Sequence, residues 1–141
     1  AQLFDTTYVP VPDTDPEQFE TPSLKVLQRI LPPIQEPALA GDRRLVFCLA
    51  IDRNGYIPVH NVIYSQPQRP GETVWNTANC RDRRMFDDRT GITAARSMRP
   101  FVVQSYRRDM GGGQFVLMRE IDVPLNIRGR HWGGLRMAYR F

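Results

Sequence analysis

Cysteine and histidine are both scarce in this chain of 141 residues: Cys48, Cys80, His60 and His131 are the whole set. The cysteines form no C-x-x-C pair, so neither a structural zinc site nor a thioredoxin-like redox pair can be built from them, and a reducing compartment is the expectation. Two histidines cannot supply a three-ligand catalytic zinc site without carboxylates. Long apolar runs are lacking too. The longest, Leu45 to Ile51, has seven residues, far below the ~20 that a membrane-spanning helix needs. The first residues show no basic-then-apolar leader pattern, and the chain reads as a soluble piece. No G-x-S-x-G or similar nucleophile motif occurs, which disfavours the catalytic alternative, an enzyme using His60 with Asp52 or Asp87.

Lysine is all but absent, Lys25 standing against eighteen arginines. The net charge of +4 is unevenly placed: Arg81 to Asp109 holds eight Arg and four Asp, and the rest of the chain sums to zero. Aspartates interrupt these arginines, so they do not form the continuous basic stripe with interleaved aromatics that nucleic acid requires. The densest part is Asn79 to Gly91, "NCRDRRMFDDRTG", which sets Arg81, Arg83, Arg84 and Arg89 among Asp82, Asp87 and Asp88. Guanidinium and carboxylate groups pair flat and bidentate, so such a stretch either locks a loop through its own ion pairs or holds a bound anion. With 41% hydrophobic residues the chain can bury a core as one domain.

Residues 1 to 22 carry four prolines among acidic residues and read as an extended linker. Ser23 is a candidate N-cap, with Leu24, Leu27, Ile30 and Leu31 on one helical face up to Pro32. A second short helix is expected from Ile34 to Ala40, ended by Gly41 and weakened by Pro37. "RRLVFCLAID", "RNG" and "YIPVH" read as strand, turn and strand, with Asn54-Gly55 as a hairpin turn. Both faces of the first strand are apolar and must be covered, one by the segment from His60 to Met98 and the other by the N-terminal helices or a second subunit. Within that segment helices are expected over 76–86 and 93–98. After Pro100, "FVVQSYRRD", "QFVLMREIDVPL" and "HWGGLRMAYRF" read as a three-strand meander joined by "MGGG" and "NIRGR". Gly133 and Gly134 inside a strand mark a bulge or a close backbone approach. The plan is α+β with one five-stranded antiparallel sheet, in sequence β-β-α-β-β-β.

That plan is shared by PAS and Cache sensor modules. The stretches "DRNGYIPVHN", "NCRDRRMFDDRTG", "QSYRRDMGGG" and "GRHWGGLRMAYRF" resemble the PAS-like sensor domain attached to bacterial methyl-accepting chemotaxis proteins, over residues 42 to 141. The resemblance implies a ligand-sensing input domain that controls a chemoreceptor signalling region, with 1–22 as linker, 23–40 as leading helices and 42–141 as the PAS-like core. Some related sensor domains carry covalent c-type haem through C-x-x-C-H. Here Cys80 is followed by Arg81, Asp82 and Arg83, so covalent haem is not expected.

The candidate ligand-contacting residues are Tyr56, His60, Arg83, Arg84, Asp87, Asp88, Tyr106 and Trp132. The arginines and the Asp87-Asp88 turn would meet a small polar or anionic ligand between the sheet and the 60–98 excursion. Tyr56, Tyr106, Met118 and Trp132 read first as core, with one able to form a pocket floor. A strand-end histidine is more often hydrogen-bonded than a ligand, and His60 or His131 would be the axial residue of a non-covalent haem. No catalytic residue, cofactor or metal is expected. The alternatives are a non-covalent haem or redox sensor and a structural dimerisation module. A homodimer is expected, on the same chain as its signalling region. Because the chain ends within a strand, its signal is expected to leave through residues 1 to 40, by changed packing beneath Leu24, Leu27, Ile30 and Leu31. A cytoplasmic location follows, the alternative being a periplasmic sensor.

Overall fold

The computed structural model describes residues 2–141. The chain begins with a two-residue ladder, β1 (Val9–Pro10) against β2 (Phe19–Glu20), followed by α1 (Leu24–Ile30) and α2 (Pro32–Ala40). After these come β3 (Leu45–Asp52), β4 (Tyr56–Ile57), α3 (Thr73–Asn79), β5 (Arg84–Met85) and α4 (Arg89–Arg96). The expected meander closes the chain as β6 (Val102–Asp109), β7 (Phe115–Ile127) and β8 (Arg130–Arg140). The turns predicted from composition are those observed. Gly111, Gly112 and Gly113 all have positive φ in the β6–β7 loop, and Arg128 and Gly129 form the two-residue β7–β8 turn, with φ of 51° and 75°.

The architecture is α+β, and the main sheet is antiparallel with four strands rather than five, in the order β3-β8-β7-β6. The expected hairpin after Asp52 does not form a ladder. Its turn is made, with the Gly55 N–H donating to the Asp52 carbonyl and the Asp52 Oδ1 accepting from the N–H groups of Asn54 and Tyr56. The chain then peels away, and β4 pairs with β5, in the middle of the charged stretch. Two side-chain amides occupy the edge that β4 leaves open. Asn61 Oδ1 accepts from the Cys48 N–H and Gln35 Oε1 from the Ala50 N–H, while Gln35 Nε2 donates to the Val59 carbonyl. An edge strand whose N–H groups are already satisfied is closed to further pairing.

The two faces of β3 are covered as its double apolar pattern requires. Phe47, Leu49 and Ile51 pack with Ile57, Ala94, Ala95, Met118 and Ala138, whereas Ala50 packs with Leu27, Val59 and Trp132. Of the four α1–α2 residues predicted to face the body, Leu24 and Leu27 are buried, Leu31 is half-buried and Ile30 is exposed. The helices of the excursion lie earlier than predicted, over 73–79 and 89–96, because the turn at 80–88 is taken up by the β4–β5 pairing. Helix α4 lies close under β8, where a side chain on Gly134 would come within 2.2 Å of the Ala94 carbonyl oxygen. Glycine is required at that approach.

The Pro-rich start is extended, as its composition implies, but it runs along the body as a strap. Trp132 Nε1 donates to the Leu3 carbonyl, the Tyr8 hydroxyl to Asp52, and Gln18 Nε2 to the Asp82 carbonyl. The Phe19 N–H donates to the Arg83 carbonyl and the Tyr56 hydroxyl to the Phe19 carbonyl.

Candidate ligand cleft

On β6 and β7 the alternation runs against the usual rule. Register pairs Val103 with Ile121 and Arg107 with Leu117 on one face, and these are largely exposed. The other face, turned toward α4 and the charged stretch, carries Gln104, Tyr106 and Arg108 on β6 and Met118, Glu120 and Asp122 on β7. Arg136 of β8 sits opposite Asp122 in the same row. Several polar side chains are thus turned inward, beside Met118, while Val103, Leu117 and Ile121 face outward.

Over this polar face lies a cleft of about 270 Å³, walled by the sheet on one side and by residues 81–88 on the other. Phe47, Leu49, Ile57 and Phe86 supply its apolar surface, and Arg81, Arg84, Arg108 and Arg136 its charge. At one end the charge is neutralised. Arg136 Nε and Nη2 donate to the two oxygens of Glu120 at 2.9 and 2.7 Å, a side-on bidentate pair with both partners buried. Burial opposes both charges, but the pair outweighs it, holding the Arg136 pKa above and the Glu120 pKa below their ordinary values. Asp122 is buried beside Glu120, accepts from Gln104 Nε2, and has its Oδ1 without a partner. Burial and the adjacent Glu120 carboxylate push its pKa up to about 8, so it is largely protonated at neutral pH.

At the other end the charge is not neutralised. Arg81, Arg84 and Arg108 make no ion pair among the described residues. Arg81 Nη1 is anchored to the Thr77 and Asp109 carbonyls, and Arg84 Nη1 to the Thr77 carbonyl. Burial, then the neighbouring Arg108, drives the Arg81 pKa well below its ordinary value, the mark of a guanidinium short of counter-charge. Arg108 is 4% exposed, stacks its guanidinium over Tyr64 and Phe47, and has neither its Nε nor its Nη2 hydrogen-bonded.

His60 lines the same cleft, its ring held edge-on between Phe47 and Tyr64. Its Nδ1 accepts from the Asn61 N–H, which puts the ring proton on Nε2. Burial, then the charges of Arg108 and Arg81, pushes its pKa well below the ordinary histidine value, so it is neutral at pH 7. Asp52, weighed as its catalytic partner, is committed to the turn and to Tyr8.

Of the eight candidate residues, five meet at the cleft: His60, Arg84, Asp87, Asp88 and Tyr106. The two aspartates are exposed at its rim, and Asp88 occupies the N-cap position of α4. Three do not line it. Arg83, at a positive φ of 57°, turns its side chain to Asp82 and Gln18. Tyr56 is buried with its hydroxyl on the strap, and Trp132 packs with Leu27 and the first residues of the chain. Sequence reasoning missed Arg81, Arg108 and Arg136, as well as the Glu120–Asp122 pair beneath. The signal was the shared parity of Gln104, Tyr106 and Arg108 with that of Glu120 and Asp122, two polar rows that alternation places on one face. His131 does not line the cleft, whose volume suits a few heavy atoms better than a porphyrin.

Among the described residues no group of three or more acidic, histidine or cysteine side chains is placed to hold a metal, and no helix is long and apolar enough to cross a membrane. No family model, curated protein or solved structure matches the chain.

Proposed function

We propose that this chain is the ligand-sensing input domain of a bacterial methyl-accepting chemotaxis receptor. In this reading it has a PAS-like fold, binds a small polar or anionic ligand in the cleft, and relays occupancy to a signalling region on the same full-length chain, on the cytoplasmic side of the membrane. The observation that carries the ligand-site reading is the buried Arg108 guanidinium with an unsatisfied edge on a concave, partly apolar wall. Buried cations are ordinarily paired, and a bound anion supplies what the protein leaves out. The receptor assignment rests on the four resembling stretches and on the two-strand, helical excursion, three-strand plan, with the fifth strand here diverted to the charged stretch.

Contacts along the strap support a relay route other than packing directly beneath α1. The cleft wall at 82–83 is bonded to Gln18 and Phe19, and the Leu24 N–H that opens α1 donates to the Thr21 carbonyl. Ligand contact with Arg84 therefore reaches the leading helices through the strap. A ligand signals only to the extent that it binds the two arrangements differently.

A thermal-shift screen of small polar and anionic metabolites on the purified chain, with native mass spectrometry for a co-purified ligand, tests this reading. A true ligand at a hundred times its dissociation constant adds about 2.7 kcal/mol and slows hydrogen exchange over 14–24. A screen with no stabilising compound and a spectrum with only the bare chain mass would remove it.

One observation favours the alternative of a structural dimerisation module: Val103, Leu117 and Ile121 are 53%, 58% and 41% exposed on a common sheet face. That module, and equally the homodimer of the receptor reading, requires self-association, which sedimentation equilibrium measures.

A further inference from the structure

The cleft contains both a filled and an empty version of the same contact. Arg136 presents its Nε–Nη2 edge to the two oxygens of Glu120, and Arg108 carries the same edge without a partner and closed to water, so a ligand reaches it by a local shift of the cleft wall. On that edge two N–H bonds run parallel at the spacing of the two oxygens of a carboxylate. From this, and resting on the ligand-sensing reading above, we propose that the ligand is a small organic monocarboxylate. Its carboxylate sits side-on against Arg108 as Glu120 does against Arg136, and its apolar body lies against Phe47, Leu49 and Ile57.

Three observations select this class among anions. The stacking of Arg108 over the Tyr64 and Phe47 rings fixes the plane of the guanidinium, and a fixed plane favours a flat partner over a tetrahedral one. The remaining cations are partly committed, since Arg81 and Arg84 each spend Nη1 on backbone carbonyls, so they contribute field rather than the several convergent donors of a phosphate cradle. Asp87, Asp88 and Asp109 line the same cleft, and their negative charge opposes a second charge on the ligand. The neutral His60 ring and the Tyr106 ring also line the cleft, and an ion pair shielded from water by such rings is strengthened.

The test measures butyrate and benzoate, their amides butyramide and benzamide, and inorganic phosphate against the purified chain by calorimetry and thermal shift. The variants are Arg108→Gln, Arg108→Lys, and Arg119→Gln on the outer sheet face as control. The expected result is that at least one acid binds, its amide binds at least tenfold more weakly, both Arg108 variants lose at least tenfold in affinity, and Arg119→Gln loses none. Full affinity in Arg108→Lys would overturn the side-on geometry, because lysine keeps the charge and lacks the fork. An amide binding as well as its acid, or phosphate as the only Arg108-dependent ligand, would overturn the carboxylate class while leaving the ligand-sensing reading standing. Failure of both acids, with another compound from the wider screen stabilising the chain, would have the same meaning. Variants that do not fold are replaced by competition on the wild-type chain. There, chloride or phosphate displacing butyrate supports a charge-held site, and insensitivity to either overturns it.

Discussion

The two ends of the cleft use the same chemistry and reach opposite states. At the Arg136 end a buried guanidinium is matched by Glu120, and a third group, Asp122, holds its proton and leaves the pair neutral. At the Arg108 end a guanidinium equally removed from water has only aromatic faces and backbone carbonyls around its neighbours. The protein could have paired Arg108 from within, as Asp87, Asp88 and Asp109 all line the same cleft. Internal pairing makes a brace, and withheld pairing leaves a receptor for something that comes and goes.

The sharpest way to break the comparison is to unpair the paired end. Glu120→Ala strands the Arg136 charge and is expected to cost about 3 kcal/mol in urea unfolding, the low end of the usual roughly 3–5 kcal/mol because Asp122 can ionise in its place. The loss is to be measured at both pH 5 and pH 8. A loss below about 1 kcal/mol at both pH values would mean that the two ends do not differ.

Asp122→Asn comes next. A carboxyl whose folded pKa is about 8 binds its proton more tightly folded than unfolded, so its contribution is full below the unfolded value near 4 and is lost as pH rises toward 8. The wild type should lose about 3–4 kcal/mol more than Asp122→Asn between pH 5 and pH 8. His60 works in the other direction, its depressed folded pKa lowering stability as pH falls below about 6.5. It does so in both proteins and cancels from the difference.

Arg108→Gln should change stability without ligand by less than about 1 kcal/mol, or raise it, since no ion pair is lost. The smallest effect is expected at Arg83, once the most natural candidate in the charged stretch. Its half-buried pair with Asp82 is partly exposed, so Arg83→Ala should cost about 0.5–1 kcal/mol and leave carboxylate affinity unchanged. A tenfold loss of affinity there would move the site toward the strap.

Much of the fold could be read from the residues. The double apolar parity of Leu45 to Ile51 is met by cover on both faces, the glycines after Met110 take the positive φ of a loop, and Gly133-Gly134 mark a close backbone approach. The β4 segment was misplaced because the pull of Asn54-Gly55 toward a hairpin is local, whereas the groups that close the β3 edge, Gln35 and Asn61, come from elsewhere in the chain. The site was half legible for a related reason. The charged stretch announced itself by composition, but Arg108, Glu120 and Asp122 lie in strands where only Tyr106 and Met118 of the same parity were read as facing the core. Their inward turn is a violation of patterning, and such violations are expected where function outweighs stability.

The strap and the sheet order also govern how the chain must be made. Strand β3 hydrogen-bonds to β8, which leaves the ribosome after the other described strands, and Leu3 is fastened to Trp132. At roughly 5–20 residues per second of synthesis, β3 waits on the order of five to fifteen seconds for its partner. Until the later elements emerge, a strand apolar on both sides has only α1 and α2, with the Gln35 amide, to cover it. Nascent chains of this protein should consequently be clients of ribosome-associated chaperones, and variants at Gln35 should show their defect first as lowered yield during expression.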